Sequence, residues 1–102
     1  MAVLHCVFCH PLNGADDELL RTISELATFS ETLEGVEAFH HGPNRDFEGK
    51  SPDHKVGFVI HFASAQALER YAEHPTHQAL GARLCASCVG GADGIVVYDL
   101  EV

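Results

Sequence analysis

The run 54-HKVGFVIHF-62 constrains the fold of this chain more than any other segment. Its residues alternate as in an extended strand, with one face formed by His54, Val56, Phe58, Ile60 and Phe62 and the other by Lys55, Gly57, Val59 and His61. Apolar side chains occur on both faces. We therefore expect both faces of this strand to be at least partly covered in the folded protein.

Other strand-like runs and a first helical segment lie on either side of this strand in the sequence. The strands are expected at 2–9, 36–41 and 95–102, next to turns rich in glycine, proline and asparagine. Apolar residues at helical spacing predict a first helix from residue 15 to about residue 32. The polar run 45–53 is typical of an exposed loop. The order through the third strand is therefore βαββ.

The second helical segment is interrupted by a proline. Ser64 is a favourable N-cap for a helix that follows the third strand. Pro75 suits the first turn of a new helix and disfavours continuation of the preceding one, so we expect a break at His74-Pro75. The second piece is expected to run to about Cys85. With the closing strand, the full order is βαββαβ.

This order predicts an α+β fold of the ferredoxin-like kind. It corresponds to a four-stranded antiparallel sheet with both helices on one face and with the first and third strands as central neighbours. A chain of 102 residues forms one such domain, over residues 1–102. The face without helices would be left bare, and pairing of that face with a second copy predicts a homodimer, a dimeric α/β barrel.

Composition excludes several classes of partner. The formal net charge is -9, and the 6 basic residues are scattered rather than grouped in a stripe, so neither nucleic acid nor an anionic membrane is an expected partner. No run is long enough to span a membrane. The first apolar run has no basic segment before it and is short for a secretory signal, so we expect a cytoplasmic protein with reduced thiols.

The cysteines spell motifs that the context does not support. The stretch 5-HCVFCH-10 contains the haem-attachment pattern, and Cys85 and Cys88 form a second C-x-x-C pair. Cys6 and Cys9 are three apart on a predicted strand and point to opposite faces, so they are poorly placed to ligate one ion. Cys85 and Cys88 fall near a helix C-terminus, which disfavours a thiolate. We expect free thiols, no cofactor and no metal.

Histidines from distant parts of the chain are expected to converge. The third strand spans ~26 Å, and the helical segment that folds back from it spans ~18 Å before reaching His77, or more if the break stretches it. His77 should therefore return to the vicinity of His54. His5, on the neighbouring first strand, and Tyr71, shortly before His77, could line the same cavity between sheet and helices.

Such a set has two interpretations. A neutral imidazole accepts a proton near pH 7 and a phenol polarises a carbonyl, so the residues suit enolisation or aldol chemistry. They equally suit a polar cavity that holds water or a structural role in the core. The residues alone leave both possibilities open.

Several segments are similar to the stress-responsive A/B barrel (Dabb) family. The resemblance is carried by 2-AVLHCVF-8, 42-GPN-44, 54-HKVGFVIHFAS-64, 71-YAEHPTHQALG-81 and 94-GIVVYDLEV-102. It covers nearly the whole chain, and its most specific part is the His-Pro-x-His segment that follows a Tyr. The resemblance implies a ferredoxin-like subunit whose sheet pairs with that of a second subunit.

The resemblance also implies roles for individual residues. By similarity to a plant polyketide cyclase of this family, the pocket would contain His5, His54, Tyr71 and His77. His77 would be the base of an intramolecular aldol condensation, and Tyr71 would position the substrate.

For the whole protein, the resemblance implies a small stress-associated homodimer with a His- and Tyr-lined pocket for a small hydrophobic or aromatic ligand. Leu20 and Ile23 of the first helix would form pocket walls. A polyketide-cyclase-like enzyme is the alternative to a pocket that only binds.

Overall fold

A computed structural model describes all residues from 1 to 102. The elements follow one another as β1 (Val3–Cys9), α1 (Asp16–Ser30), β2 (Val36–Pro43), β3 (Val56–Phe62), α2 (Ala65–Glu73), α3 (Pro75–Ala86) and β4 (Ile95–Glu101). The predicted order is confirmed. The third strand begins at Val56 rather than His54, and the second continues to Pro43.

The strands form one antiparallel sheet in the order β2-β3-β1-β4. β1 and β3 are the central pair, as expected, and β2 and β4 are the edges. His5 lies opposite Ile60 of β3 and opposite Asp99 of β4. Because side chains alternate between the two faces of a strand, these three residues share one face of the sheet. That face is the one covered by the helices.

The predicted second helix is two helices with a break between them. The Ser64 side chain accepts a hydrogen bond from the backbone N–H of Ala67 and starts α2. His74 adopts an extended conformation with ψ 133°, because a residue before proline is disfavoured in the helical region. Its ring nitrogen Nδ1 then accepts a hydrogen bond from the Thr76 N–H and caps α3. The chain therefore changes direction at His74-Pro75.

The hydrophobic core lies between the sheet and the helices. It contains the helix-facing side chains of β1 and β3 and the inner face of α1, among them Val7, Ile60, Phe62, Ile23 and Leu26. Ile23, Ile60 and Phe62 have no exposed surface. Complete burial of side chains of this size stabilises the fold by about 1.5–3 kcal/mol each.

The other face of the sheet carries apolar side chains but no helix. Alternation in the strands places there Leu4, Cys6, Phe8, Val59, His61, Val96, Tyr98 and Leu100. On β4, Tyr98 is 59% exposed and Leu100 is 54% exposed. We call this side of the sheet the open face. No helix in the fold has the length and apolar character needed to cross a membrane.

Candidate functional site

His5 and Asp99 form a hydrogen-bonded pair across the two strands β1 and β4. The His5 Nδ1 atom lies 2.6 Å from Asp99 Oδ1, and the Asp99 side chain is 45% exposed. A carboxylate only accepts hydrogen bonds, so it fixes the tautomer in which Nδ1 carries a proton and the Nε2 atom of a neutral His5 ring has a free lone pair. The pair thus orients the His5 ring toward the helices.

Tyr71 of α2 lies in the middle of an aromatic group. Its ring centroid is 6.0 Å from that of His5, 4.3 Å from that of His77 and 5.3 Å from that of Phe62. Phe29 of α1 stacks on it at 6.1 Å. These contacts come from both central strands, α1 and α3, so Tyr71 is the residue on which the cluster is assembled.

Burial alone raises the pKa of the Tyr71 hydroxyl well above its usual range, so the phenol stays protonated and acts as a hydrogen-bond donor. Every fully buried side-chain oxygen in the structure has a hydrogen-bond partner. The Tyr71 hydroxyl makes no hydrogen bond within the chain, so its oxygen is not fully buried and accounts for the 1% exposure of this residue. A ligand that reaches the hydroxyl would find a free donor.

His77 is half-buried beside Tyr71 at the start of α3. Its Nδ1 atom lies 3.1 Å from the Ala72 carbonyl oxygen, which only accepts, so Nδ1 donates and Nε2 carries a lone pair. Burial lowers the pKa of His77; the Ala72 carbonyl opposes this, and the nearby His5 ring adds to the lowering. The ordinary value is 6.5, so His77 is mainly a neutral base at pH 7.

His5, Tyr71 and His77, which we call the His-Tyr-His cluster, thus combine two imidazoles with a protonated phenol. A neutral imidazole beside a phenol donor can take a proton from carbon while the phenol binds the adjacent carbonyl oxygen. The cluster is closely packed: Tyr71 is 1% exposed and the His5 side chain 14% exposed.

His54 lies elsewhere, and the expectation that it meets His77 is wrong in this structure. Its ring is 6.2 Å from that of His10, and it lines a cavity of about 420 Å³ with the open-face residues Phe8 and Tyr98. The break at His74-Pro75 is the physical cause. It keeps His77 beside Tyr71, near the end of β3, whereas His54 precedes the beginning of that strand.

The two expected wall residues of α1 lie in different surroundings. Ile23 is fully buried in the same core cluster as Tyr71. Leu20 is 45% exposed and lines a separate cavity of about 570 Å³ with Pro43 and Val56. Since Val56 begins β3 and Tyr71 packs on Phe62 at its end, Leu20 lies at the other end of the sheet.

Two members of the site were missed at the sequence level. Asp99 holds His5, and Phe29 stacks on Tyr71. Alternation along 95–102 could have found Asp99, because it shares a face with Val97 and Glu101. That signal becomes useful only once the register between β1 and β4 is known, which places Asp99 opposite His5.

The cysteines are placed as expected. Cys6 lies on the open face and Cys9 in the core, and all four cysteines are free. Burial, together with the neighbouring thiol of Cys88, raises the pKa of Cys9 to about 12. Burial likewise raises the pKa of Cys88. Both thiols therefore stay protonated and poorly nucleophilic at neutral pH.

A ferredoxin-like unit with one helix-covered and one open sheet face has the architecture of a subunit of a dimeric α/β barrel. The family model described as the stress responsive A/B barrel domain (Dabb) matches residues 3–102. The chain belongs to this family, and the predicted ferredoxin-like fold is confirmed.

Solved structures agree with this assignment. The chain is similar to a dimeric ferredoxin-like protein of unknown function from Jannaschia sp. CCS1, with 46% identity, 100% of each chain covered and a TM-score of 0.95. An Arabidopsis thaliana protein is 23% identical over 98% of this chain and 94% of its own, with a TM-score of 0.83. SnoaB from Streptomyces nogalater, a cofactor-independent oxygenase, is 12% identical over 99% of this chain and 92% of its own, with a TM-score of 0.79. The last two show the fold alone. A search of curated proteins found no match.

Proposed function

We propose that this protein is a homodimer that binds a small carbonyl-containing molecule at the His-Tyr-His cluster and moves a proton in it. The observation that carries the proposal is the neutral, half-buried His77, whose ring lies 4.3 Å from the ring of the buried Tyr71. A dimeric relative of the same fold supports self-association, and the open face is the surface that we assign to it. The stress association rests on the description of the family.

The favoured chemistry is an enolisation that leads to an intramolecular aldol step. His77 Nε2 takes a proton from the carbon next to a ketone, and the electron pair of that C–H bond moves into an enolate. The Tyr71 hydroxyl donates a hydrogen bond to the enolate oxygen. The enolate carbon then bonds to a second carbonyl carbon of the same molecule, and the resulting alkoxide takes the proton back from His77.

Within this scheme His5 is a positioning residue. Asp99 holds its Nδ1–H, so the Nε2 atom of the neutral ring can accept a hydrogen bond from a hydroxyl of the ligand. His54 has no part in the reaction, because it lies in the open-face cavity. This limits the proposed catalytic residues to His77 and Tyr71.

Binding without turnover is the second candidate function. It is favoured by the aromatic character of the cluster, in which Phe29 stacks on Tyr71. A flat aromatic molecule that reached the Tyr71 hydroxyl would contact these rings without being transformed. Binding and turnover share the same site and differ only in whether His77 receives a proton from carbon.

A thermal-shift screen of aryl methyl ketones, aromatic acids and polyketide thioesters tests the proposal. We expect compounds that stabilise the wild-type protein to lose that effect in His77→Ala. His41→Ala is the matched control, because His41 is an exposed histidine of β2 on the helix-covered side of the sheet and should leave the stabilisation unchanged. Equal stabilisation of the wild type and His77→Ala would contradict the proposed site.

A further inference from the structure

The open face carries two exposed apolar features at opposite edges of the sheet. Phe47 is 93% exposed and lies in the loop between β2, an edge strand, and β3. The second feature, which we call the β4 strip, consists of the half-buried Val96 and the exposed Tyr98 and Leu100 on the other edge strand. Contact with a partner would bury each of these apolar surfaces and remove it from water.

The loop that carries Phe47 stands on the same side of the sheet as the β4 strip. Phe47 and Asp46 form one wall of a cavity of about 580 Å³, and the open-face residues Phe8 and Val59 form another. Phe47 therefore does not project sideways from the edge of the sheet. It lies where a molecule covering the open face would meet it.

Hydrogen bonds hold this loop in one conformation. Asp46 Oδ1 accepts from the backbone N–H groups of Lys50 and Ser51 at 2.8 and 2.9 Å, and the Asn44 side chain donates to Ser51 Oγ at 2.8 Å. The Asn44 side chain also accepts from the Asp46 N–H at 2.9 Å. A loop already ordered loses little entropy on docking, and a rigidly presented aromatic ring is a common anchor of protein interfaces.

The strand register decides where a second copy would receive Phe47. Val56 of β3 pairs with Pro43 of β2 and Cys9 of β1, and Cys9 also pairs with Ile95 of β4. The loop after Pro43 and the start of the β4 strip thus lie at the same end of the sheet.

Two copies stacked by their open faces are related by a two-fold axis in the plane between the sheets, and its two limiting directions make different contacts. An axis parallel to the strands places β2 of one copy over β4 of the other and keeps the strand ends together, so each Phe47 falls over Val96 and Tyr98 of the partner subunit. An axis across the strands places β2 over β2 and moves Phe47 to the opposite end, away from the start of the strip.

We infer that Phe47 of each copy docks on the β4 strip of the partner subunit, in a dimer whose two-fold axis runs parallel to the strands. This inference rests on the homodimer of the proposed function and adds its axis and its anchor. Exposed polar residues on either side of Phe47, Arg45 and Glu48, would form the polar rim of each contact.

Subunit exchange between isotopically light and heavy protein, followed by native mass spectrometry, tests the anchor. We expect Phe47→Ser to exchange at least about tenfold faster than the wild type. Leu12→Ser is the control, because Leu12 is an exposed apolar residue, 40% exposed, in the turn between β1 and α1. Tyr98→Ser should accelerate exchange similarly, with little further effect in the double variant. Wild-type exchange rates in Phe47→Ser would overturn the inference.

A photo-crosslinking phenylalanine analogue at position 47 tests the axis. We expect an intersubunit product whose attachment point maps to residues 96–100. Attachment to residues 36–43 of β2, or no intersubunit product, would overturn this arrangement while leaving the dimer itself intact. A wild-type protein that sediments as a monomer would overturn both the dimer and this inference.

Discussion

The two faces of the sheet differ in how far a single chain buries their side chains. On the helix-covered face, His5, Tyr71 and His77 are brought together by elements of a single chain, and Tyr71 is only 1% exposed. On the open face, Tyr98 is 59% exposed and Phe47 is 93% exposed. The comparison teaches that the candidate chemistry belongs to the monomer, whereas the apolar surface around β4 is left for a partner.

The two tyrosines of the chain give the largest contrast between the faces. Tyr71→Ala removes a buried ring that packs on Phe62 and His77, so we expect a loss of roughly 3–5 kcal/mol in the free energy of unfolding. Tyr98→Ala should change the intrinsic stability of the subunit much less. Urea denaturation at several protein concentrations separates the two, because dimer stability depends on concentration and subunit stability does not.

Tyr71→Phe is the control for this experiment. It keeps the packing and removes only the hydroxyl, which has no partner in the chain, so stability should be nearly unchanged. Equal destabilisation by Tyr71→Ala and Tyr98→Ala would contradict the difference between the faces.

A paired set of glycines tests how closely the open face is packed within the chain. Gly42 and Gly57 are opposite each other in β2 and β3. A Cβ at Gly57 would lie 2.8 Å from the Val7 carbonyl oxygen and even closer to the Phe8 ring, whereas one at Gly42 would meet nothing within 4 Å. We expect Gly57→Ala to cost about 1–3 kcal/mol of unfolding free energy and Gly42→Ala little, as measured by thermal and urea unfolding. Similar effects of the two changes would mean that Phe8 moves aside freely.

Asp99→Asn tests the role of the carboxylate on the helix-covered face. We expect a loss of about 1 kcal/mol or less in the free energy of unfolding, because Asp99 is 45% exposed and the surrounding water screens the pair. The sharper readout is ¹⁵N NMR of the His5 ring. In Asp99→Asn, the fraction of His5 that carries a proton on Nδ1 should be lower than in the wild type. An unchanged His5 spectrum would show that Asp99 does not select the tautomer.

The smallest expected effect is a pH dependence of stability at His77. Its pKa in the folded protein lies below the ordinary value of 6.5, mainly because of burial. Below pH 6.5 the unfolded chain therefore binds more protons at this residue than the folded protein does, which lowers the free energy of unfolding. Well above pH 6.5 the residue is neutral in both states and has no such effect. His77→Gln should flatten the stability profile just below pH 6.5. Overlapping profiles for the wild type and His77→Gln would contradict the lowered pKa.

Local signals in the sequence were enough to predict the helices and strands and the break between α2 and α3. The alternation in 54–62, the Ser64 cap and the Pro75 break depend on near neighbours and were predicted correctly. The open face followed from the order of the elements, because right-handed βαβ crossovers place both helical segments on the same side of the sheet. Dimeric relatives agree with this expectation.

The positions within the site were harder to predict because they depend on distances between elements. Treating the helical segment as a straight rod brought His77 back to His54, but the change of direction at His74-Pro75 left them apart. Asp99 was missed because its meeting with His5 depends on the register of two strands that are far apart in the chain. Tyr71 and His77 lie on either side of the break, close in sequence, and their proximity was predicted for that reason.

The central claim is that His77 is a neutral imidazole with a free Nε2 atom beside the Tyr71 hydroxyl. Two-dimensional ¹⁵N NMR of histidine-labelled protein measures this directly through the protonation of each ring nitrogen as a function of pH. We predict a His77 ring protonated on Nδ1 and unprotonated on Nε2 at pH 7, with a pKa below 6.5. A His77 ring that is doubly protonated at pH 7, or that carries its proton on Nε2, would contradict the account.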